Sequence, residues 1–372
     1  MNTSLRINAI YCLHVPPDEA ERRAQQLALE QSVEMPATSV FDRHVLDTMV
    51  ARVESITINE IGSPIAWLSL SAETVGGDAG QLMNMLFGNC SLQPDVELID
   101  IDLPDELALM WGGPNHGVEG MRRLTGADDR PLTCTALKPI GSTSDALQSM
   151  CTIFASAGID VIKDDHGWAD QRNAPFADRV RVCQAAVARA NAERRHGHTL
   201  YAPSLYGHYQ QMCVQIESAR SEGVQAVLIA PMVCGVATLV ALKREFADIT
   251  FLAHPSLGGL RIAPSVLLGK LFRLFGADAV IFPNHGGRFA YSREVCRAIA
   301  SNNTQLWHGL KPSLPTPAGG MSIERTAEIV AEYGRDSMLL IGGALVGQPN
   351  QMAARSAEFV EAVAAASEAI AI

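Results

Sequence analysis

The segment "QAVLIAPMVCGVATLVALKREFADITFLAH", residues 225–254, holds the key to the fold. It opens and closes on short apolar runs, QAVLIAP (225–231) and ITFLAH (249–254). Neither run alternates apolar with polar residues, so both faces of each strand are buried, which is the pattern of a parallel sheet. Between them, residues 236–246 repeat apolar positions at helical spacing. A helix of that length is the usual crossover between parallel neighbours. The same unit recurs in both directions. Further runs are LTCTAL (132–137), GIDVIK (158–163), HTLYAPS (198–204), DAVIFP (278–283), PSLPTPAGG (312–320) and SMLLIGG (337–343). Helical stretches include 144–157, 209–222, 264–275, 293–301, 323–333 and 350–365. With the two quoted runs these make eight strands, which predicts an α/β protein built on a (β/α)8 TIM barrel. The alternative is a doubly wound sheet, which more often has about five or six strands. The run at 312–320 is the weakest strand, because its prolines cannot donate to a ladder.

Residues 1–125 read differently from 126–372. The stretch 16–31 is a helix, 76–88 another, and 50–59, 63–73 and 96–104 are strands with partial alternation. This predicts a small α+β, ferredoxin-like N-terminal domain with antiparallel strands and helices on one face. A linker is expected near "WGGPNHGVEGMRRLTGADDR", 111–130.

A chain of 372 residues with 48% hydrophobic and 19% charged residues has ample core and is not disordered. The net charge of −11 argues against nucleic-acid and anionic-membrane partners, which need a basic footprint. The cysteines at 12, 90, 134, 151, 183, 213, 234 and 296 form no C-x-x-C pair and read as reduced thiols. No apolar stretch reaches membrane-spanning length and the N-terminus has no signal-peptide pattern, so a soluble, cytoplasmic protein is expected. No P-loop or G-x-G-x-x-G follows a first strand, so nucleotide binding is not expected.

In a barrel, groups that follow the strands converge on one mouth. Here they are Lys138; Lys163, Asp164, Asp165 and His166; Tyr206 and His208; His254; Asn284, His285 and Arg288; and the pairs Gly319–Gly320 and Gly342–Gly343. Glycine pairs after the last two strands suit a phosphate, since backbone N–H groups can approach it closely; the plainer reading is turn chemistry. Asp165 and His166 could share a cation. Mg²⁺ prefers carboxylate oxygen, whereas imidazole suits Mn²⁺ better, so His166 is either a ligand or an acid–base group beside the metal. The plainer reading is that these charges cap a helix, with Asp170 and Gln171 solvated. Lys138 leaves an apolar strand partly desolvated, as a general base requires, or snorkels with a wet head. His254 taken alone is a satisfied core histidine.

Several motifs resemble the ribulose-bisphosphate carboxylase large-chain superfamily, and most closely its non-carboxylating RuBisCO-like (form IV) branch. They are LKPIG (137–141), GIDVIKDDH (158–166), GRF (287–289), AGG (318–320) and IGGALVGQP (341–349), with ALEQS (28–32) and FGNCS (87–91) in the N-terminal region. The resemblance implies Mg²⁺ held by Lys163, once carbamylated, and by Asp165, with His166 where a second carboxylate belongs. It implies proton transfer at Lys138 and a histidine at the mouth at His254. It also implies phosphate binding at Gly319, Gly320, Gly342 and Gly343, and an amide near metal and substrate at Asn89. Glu30 would enter from a neighbouring subunit, so a homodimer or a multiple of it is implied.

Departures from the family pattern are Ile140 for a second lysine, Pro255 for an arginine, Ala318 for a serine, and Arg288 for the mobile-loop lysine. They argue against CO₂ fixation and against a bisphosphate. A phosphorylated keto-sugar or keto-sugar acid with one phosphate is expected instead. Arg288 could grip a substrate carboxylate or equally a phosphate; the first tilts the expectation slightly to decarboxylation of a 3-oxo sugar-acid phosphate (3-oxo-isoapionate 4-phosphate type). The alternatives are isomerisation or enolisation of 5-methylthioribulose 1-phosphate, and an inert regulatory relative.

Overall fold

The computed structural model describes residues 5–289, 291–347 and 349–371. An N-terminal sheet is built from β1 (Arg6–Leu13), β2 (Arg52–Ile58), β3 (Pro64–Ser71) and β4 (Val96–Asp102), in the order β2-β3-β1-β4 and antiparallel throughout. Sequence reasoning found β2, β3 and β4 but passed over β1, which lies between β3 and β4. RINAIYCL alternates polar with apolar only over its first four residues, and IYCL is apolar and buried throughout, which leaves little alternation to recognise. Ile7, Ala9, Tyr11 and Leu13 share one face of β1 and one core with Leu27 and Leu86 of helices Ala20–Glu30 and Ala79–Phe87. The Tyr11 hydroxyl donates to the Leu86 carbonyl at 2.7 Å. The helices therefore cover one face of the sheet, as expected.

The second sheet holds β5 (Leu132–Leu137), β6 (Val161–Asp164), β7 (Leu200–Ala202), β8 (Ala226–Ile229), β9 (Thr250–Ala253), β10 (Ala279–Pro283), β11 (Leu314–Ala318) and β12 (Met338–Leu340). Its order is β7-β6-β5-β12-β11-β10-β9-β8 and its pairings are parallel. First and last strands pair, with Leu132 of β5 opposite Met338 of β12 and Cys134 opposite Leu340. The ring closes between β7 and β8 through Leu205 N–H to Leu228 O and Leu228 N–H to Pro203 O, both 2.9 Å. This is the eight-stranded barrel. Its interior is filled by Leu132, Cys134, Val161, Leu200, Leu228, Leu252, Ile281, Leu314 and Met338.

The proline-rich run does form a strand, with a visible cost. β11 pairs with β10 along its whole length, but with β12 only at Ala318 opposite Leu340. Leu314 N–H points to β10, bonding Asp278 O, so the alternate nitrogens, those of Pro315 and Pro317, face β12 and have no proton to give. Helix Phe176–Glu193 was not among the expected stretches, although Val180, Cys183, Val187 and Ala190 mark its buried face. The expected linker at 111–130 is instead structured: helix Gly117–Thr125 places Val118 and Met121 in the barrel's interior cluster. Among the described residues, no helix is long and apolar enough to cross a membrane.

Candidate active site at the barrel mouth

Strand alternation decides which groups enter the mouth. Cys134 faces the barrel interior, and the same sense two and four residues on brings Lys138 to the opening. Interior Val161 likewise selects Lys163 and Asp165, interior Leu252 selects His254, and Leu340 selects Gly342.

Asp164 has the opposite sense, so its expected place on the rim is corrected. It is fully buried toward the helix layer, accepting from Arg179 Nε at 3.0 Å, the Tyr201 hydroxyl at 2.8 Å and Ser204 N–H at 3.0 Å. Arg179 and Tyr201 were missed by sequence reasoning. The available signal was an arginine on the buried face of a helix, where a charge needs a partner. Asp170 also does structural work, accepting from Phe176 N–H at 2.8 Å ahead of helix Phe176–Glu193. Gln171 ties the loop to itself through Ala169 N–H and Gly167 O, both at 2.8 Å. Trp168 pins this loop to β5 by donating to Leu137 O at 3.1 Å.

The groups that do enter the mouth form a continuous chain. Lys138 Nζ donates to Asp165 Oδ2 at 2.6 Å, and His166 Nδ1 lies 3.3 Å from Asp165 Oδ1. The His166 ring stacks on His254 with centroids 4.1 Å apart and planes 12° from parallel. His254 Nδ1 meets Ser256 Oγ at 2.8 Å. Since β6 and β9 are not neighbours in the barrel, this imidazole stack spans the opening.

Charge follows from the surroundings. Lys163 is 2% exposed and donates to Asp164 O at 2.9 Å; burial lowers its pKa. His254 is pushed down to about 2, first by burial and then by the positive charges of Lys163 and His166. For Asp165 burial works upward, but hydrogen bonds from His166 and Lys138 and the charge of Lys163 outweigh it, and the carboxyl lies well below its ordinary range.

The donor set can be tested against a metal. Among the described residues no group of three or more His, Cys, Asp or Glu side chains is placed to hold an ion. Asp165 supplies a carboxylate and His166 an imidazole, with Lys163 beside them. A third ligand, and the second anionic one, must be made from Lys163. A buried lysine held toward its neutral amine is the form that adds CO₂, so the residues fit a metal site completed by carbamylation.

Other expected rim residues lie elsewhere. His208 is exposed against Gln210 at 3.0 Å. Asn284 is buried between the Tyr333 hydroxyl at 2.5 Å and Met321 Sδ at 3.3 Å. His285 Nε2 lies 3.8 Å from Glu328. Arg288 is exposed, its guanidinium 4.9 Å from the Phe289 ring centroid.

The glycines divide. A Cβ on Gly320 would stand 2.4 Å from Gly287 Cα, so this glycine has a packing reason, the close approach of the loops after β10 and β11. Gly319 and Gly343 face open space, and a Cβ on Gly342 would lie 3.7 Å from Lys138 Cε. In the N-terminal domain, Asn89 Nδ2 donates to Glu30 Oε1 at 2.9 Å.

Residues 117–371 match the family model of the ribulose bisphosphate carboxylase large chain, catalytic domain. The chain is 50% identical over 364 residues to the 5-methylthioribulose-1-phosphate isomerase of Rhodospirillum rubrum, covering 97% of each. It is 47% identical over 369 residues to ribulose bisphosphate carboxylase-like protein 1 of Rhodopseudomonas palustris, covering 98% of this chain and 99% of that one. The crystal structure of a Rubisco-like protein from Rhodopseudomonas palustris superposes with a TM-score of 0.91 at 44% identity, covering 97% and 98% of the two chains.

Proposed function

The chain belongs to the ribulose bisphosphate carboxylase large-chain family as a RuBisCO-like (form IV) protein, and on that premise we propose that it isomerises 5-methylthioribulose 1-phosphate. The observation that carries this reading is the 50% identity, over 97% of both chains, to the Rhodospirillum rubrum isomerase. It ranks isomerisation above the decarboxylation that Arg288 had favoured. Arg288 is exposed over Phe289, which lends no support to a carboxylate clamp. The chain Lys138–Asp165–His166–His254 weighs against an inert relative, because a barrel without chemistry gains nothing from desolvated charge.

The substrate is a ketone flanked by hydroxylated carbon, with one phosphate. Lys138 takes the proton from the carbon beside the ketone and returns it after the double bond has moved. Asp165 holds the lysine at the opening until substrate arrives. His254, kept neutral by its surroundings, can donate or accept a hydrogen bond without adding positive charge. Asp165, His166 and a carbamate on Lys163 would hold Mg²⁺ or Mn²⁺, which would supply positive charge for the oxygen that becomes anionic. Gly319, Gly342 and Gly343, with open space at their Cα atoms or Lys138 alongside, are the backbone available to the phosphate; Gly320 serves packing as well. Ile140 and Pro255 leave no second cationic grip, in keeping with a single phosphate. Glu30 and Asn89 are bonded to each other, so whichever subunit supplies one supplies both, and a homodimer with the pair crossing to its neighbour is the minimal unit.

The test is NMR of 5-methylthioribulose 1-phosphate in D₂O with Mg²⁺ and bicarbonate. Solvent deuterium should enter at C3 and an isomeric sugar phosphate accumulate. Lys138→Met should slow exchange by about 10²–10⁴-fold. Absence of exchange, together with CO₂ release from a 3-oxo sugar-acid phosphate, would replace isomerisation with decarboxylation.

A further inference from the structure

The turn after β9 carries a leucine where turn geometry asks for glycine. Gly258 N–H donates to Pro255 O at 2.9 Å, closing a four-residue turn whose third residue, Leu257, has φ +59°. That position and sign belong to a type II turn, which favours glycine or asparagine. For a leucine the left-handed region is unfavourable because Cβ crowds the following carbonyl. Among the described residues, two other non-glycine residues share a positive φ, Glu34 and His308. His308 is held by Asp102 at 3.1 Å and Asp105 at 2.5 Å. Leu257 has no such hold, and it is 68% exposed. A strained backbone and an apolar side chain in water are two unfavourable choices at one residue, and asparagine or glycine would relieve both. Strain of this kind persists where function needs the side chain.

The location says which function. Leu257 follows His254 by three residues, on a loop bordering the mouth, and Ser256 of the same turn bonds His254. Residues 255–260, PSLGGL, carry no charge, and Leu260 is also 45% exposed. Leu257 and Leu260 give this turn an apolar surface, and the first charge after it is Arg261, whose carbonyl accepts from Leu98 N–H of β4. Lys138 and Gly342 lie together at the ends of β5 and β12, which are not neighbours of β9. We infer that Leu257 is a specificity-determining residue that receives the apolar, unphosphorylated end of the substrate, a thioether or short alkyl group. The inference rests on the isomerase reading and adds to it the residue that selects sulfur-methyl over hydroxyl.

The experiment compares kcat/KM for 5-methylthioribulose 1-phosphate and ribulose 1-phosphate, which carries a hydroxyl in place of the methylthio group. Wild-type protein should prefer the methylthio sugar by at least about tenfold, the worth of a methylene-sized apolar contact. Leu257→Asn should cut that ratio about tenfold without lowering the melting temperature, because asparagine accepts the positive φ. Leu257→Met should keep most of the preference. An unchanged ratio in Leu257→Asn, or no preference in the wild type, overturns the inference and leaves the isomerase reading standing. An equal loss on both sugars with a change in oligomeric state also overturns it, assigning Leu257 to a subunit contact. No turnover of either sugar by the wild type overturns the isomerase reading and this inference with it.

Discussion

Replacing Arg179 by methionine tests the separation of the two adjacent aspartates. Arg179 and Asp164 are both 0% exposed at the side chain, with Nε 3.0 Å from Oδ2. Arg179 Nη1 also donates to Ala174 O at 2.7 Å, and the guanidinium lies 5.2 Å from the Trp168 ring centroid and 5.5 Å from that of Phe176. Methionine can fill much of the same channel, so the loss is electrostatic more than steric. Asp164 would keep the Tyr201 hydroxyl and Ser204 N–H but lose its counter-charge. Breaking a buried pair from one side costs about 3–5 kcal/mol. At roughly 2–4 °C per kcal/mol for a domain of this size, the melting temperature should fall by about 10 °C. Urea unfolding of wild type, Arg179→Met, Asp164→Asn and the double variant gives the coupling directly. The double variant should be more stable than the summed single losses predict, by about 2 kcal/mol or more. A single loss under about 1 kcal/mol, or strict additivity, would falsify the claim that Asp164 is a buried, paired strut and return it to the solvated rim.

Other consequences are equally open to measurement. Lys243 is 4% exposed, its amine donating to Gly113 O, and burial pushes it down to about 8 from 10.5. The unfolded chain therefore holds the proton between those values while the folded chain releases it. Stability should rise with pH across that window, the gain being lost as pH falls from 10.5 to 8, so urea unfolding against Lys243→Met should show a relative gain of about 2–3 kcal/mol from pH 7 to pH 10. Gly320→Ala should lower both melting temperature and activity, because its Cβ would stand 2.4 Å from Gly287 Cα; Gly343→Ala, with open space, should leave the melting temperature alone and raise KM if its backbone holds phosphate. Mixing inactive Glu30→Gln with inactive Lys138→Met protein, after subunit exchange, should restore part of the activity if the Glu30–Asn89 pair crosses to a neighbour, and none if each chain supplies its own.

The barrel was legible because runs such as AVLI in β8 and TFLA in β9 are apolar without alternation, a pattern that only a strand buried on both faces maintains. β1 was passed over because RINAIYCL alternates only over its first four residues and IYCL is apolar throughout, in a domain expected to alternate. Lys138, Asp165, His166 and His254 were singled out by position, since strand ends converge, and contacts join them in the structure. Asp164 was misplaced although the information was present: counting in twos from Val161 separates it from Lys163 and Asp165. The bond between Glu30 and Asn89, 59 residues apart, and the positive φ of Leu257 were beyond reach, because neither a long-range contact nor one turn's handedness leaves a periodic trace.

The opposed facing of Asp164 and Asp165 bears on how this segment tolerates change. Each substitution there touches one job, and its effect is graded by the partners lost. Deleting or inserting a single residue between Val161 and Asp165 does something else. It would turn the strut carboxylate into the opening and drive the one bonded to Lys138 toward Arg179, exchanging their environments while leaving the composition nearly intact. The spacing of this strand is thus under tighter constraint than the identity of any residue in it. Length variation among relatives should collect in the loops beyond Trp168 and spare the five residues from Val161 to Asp165.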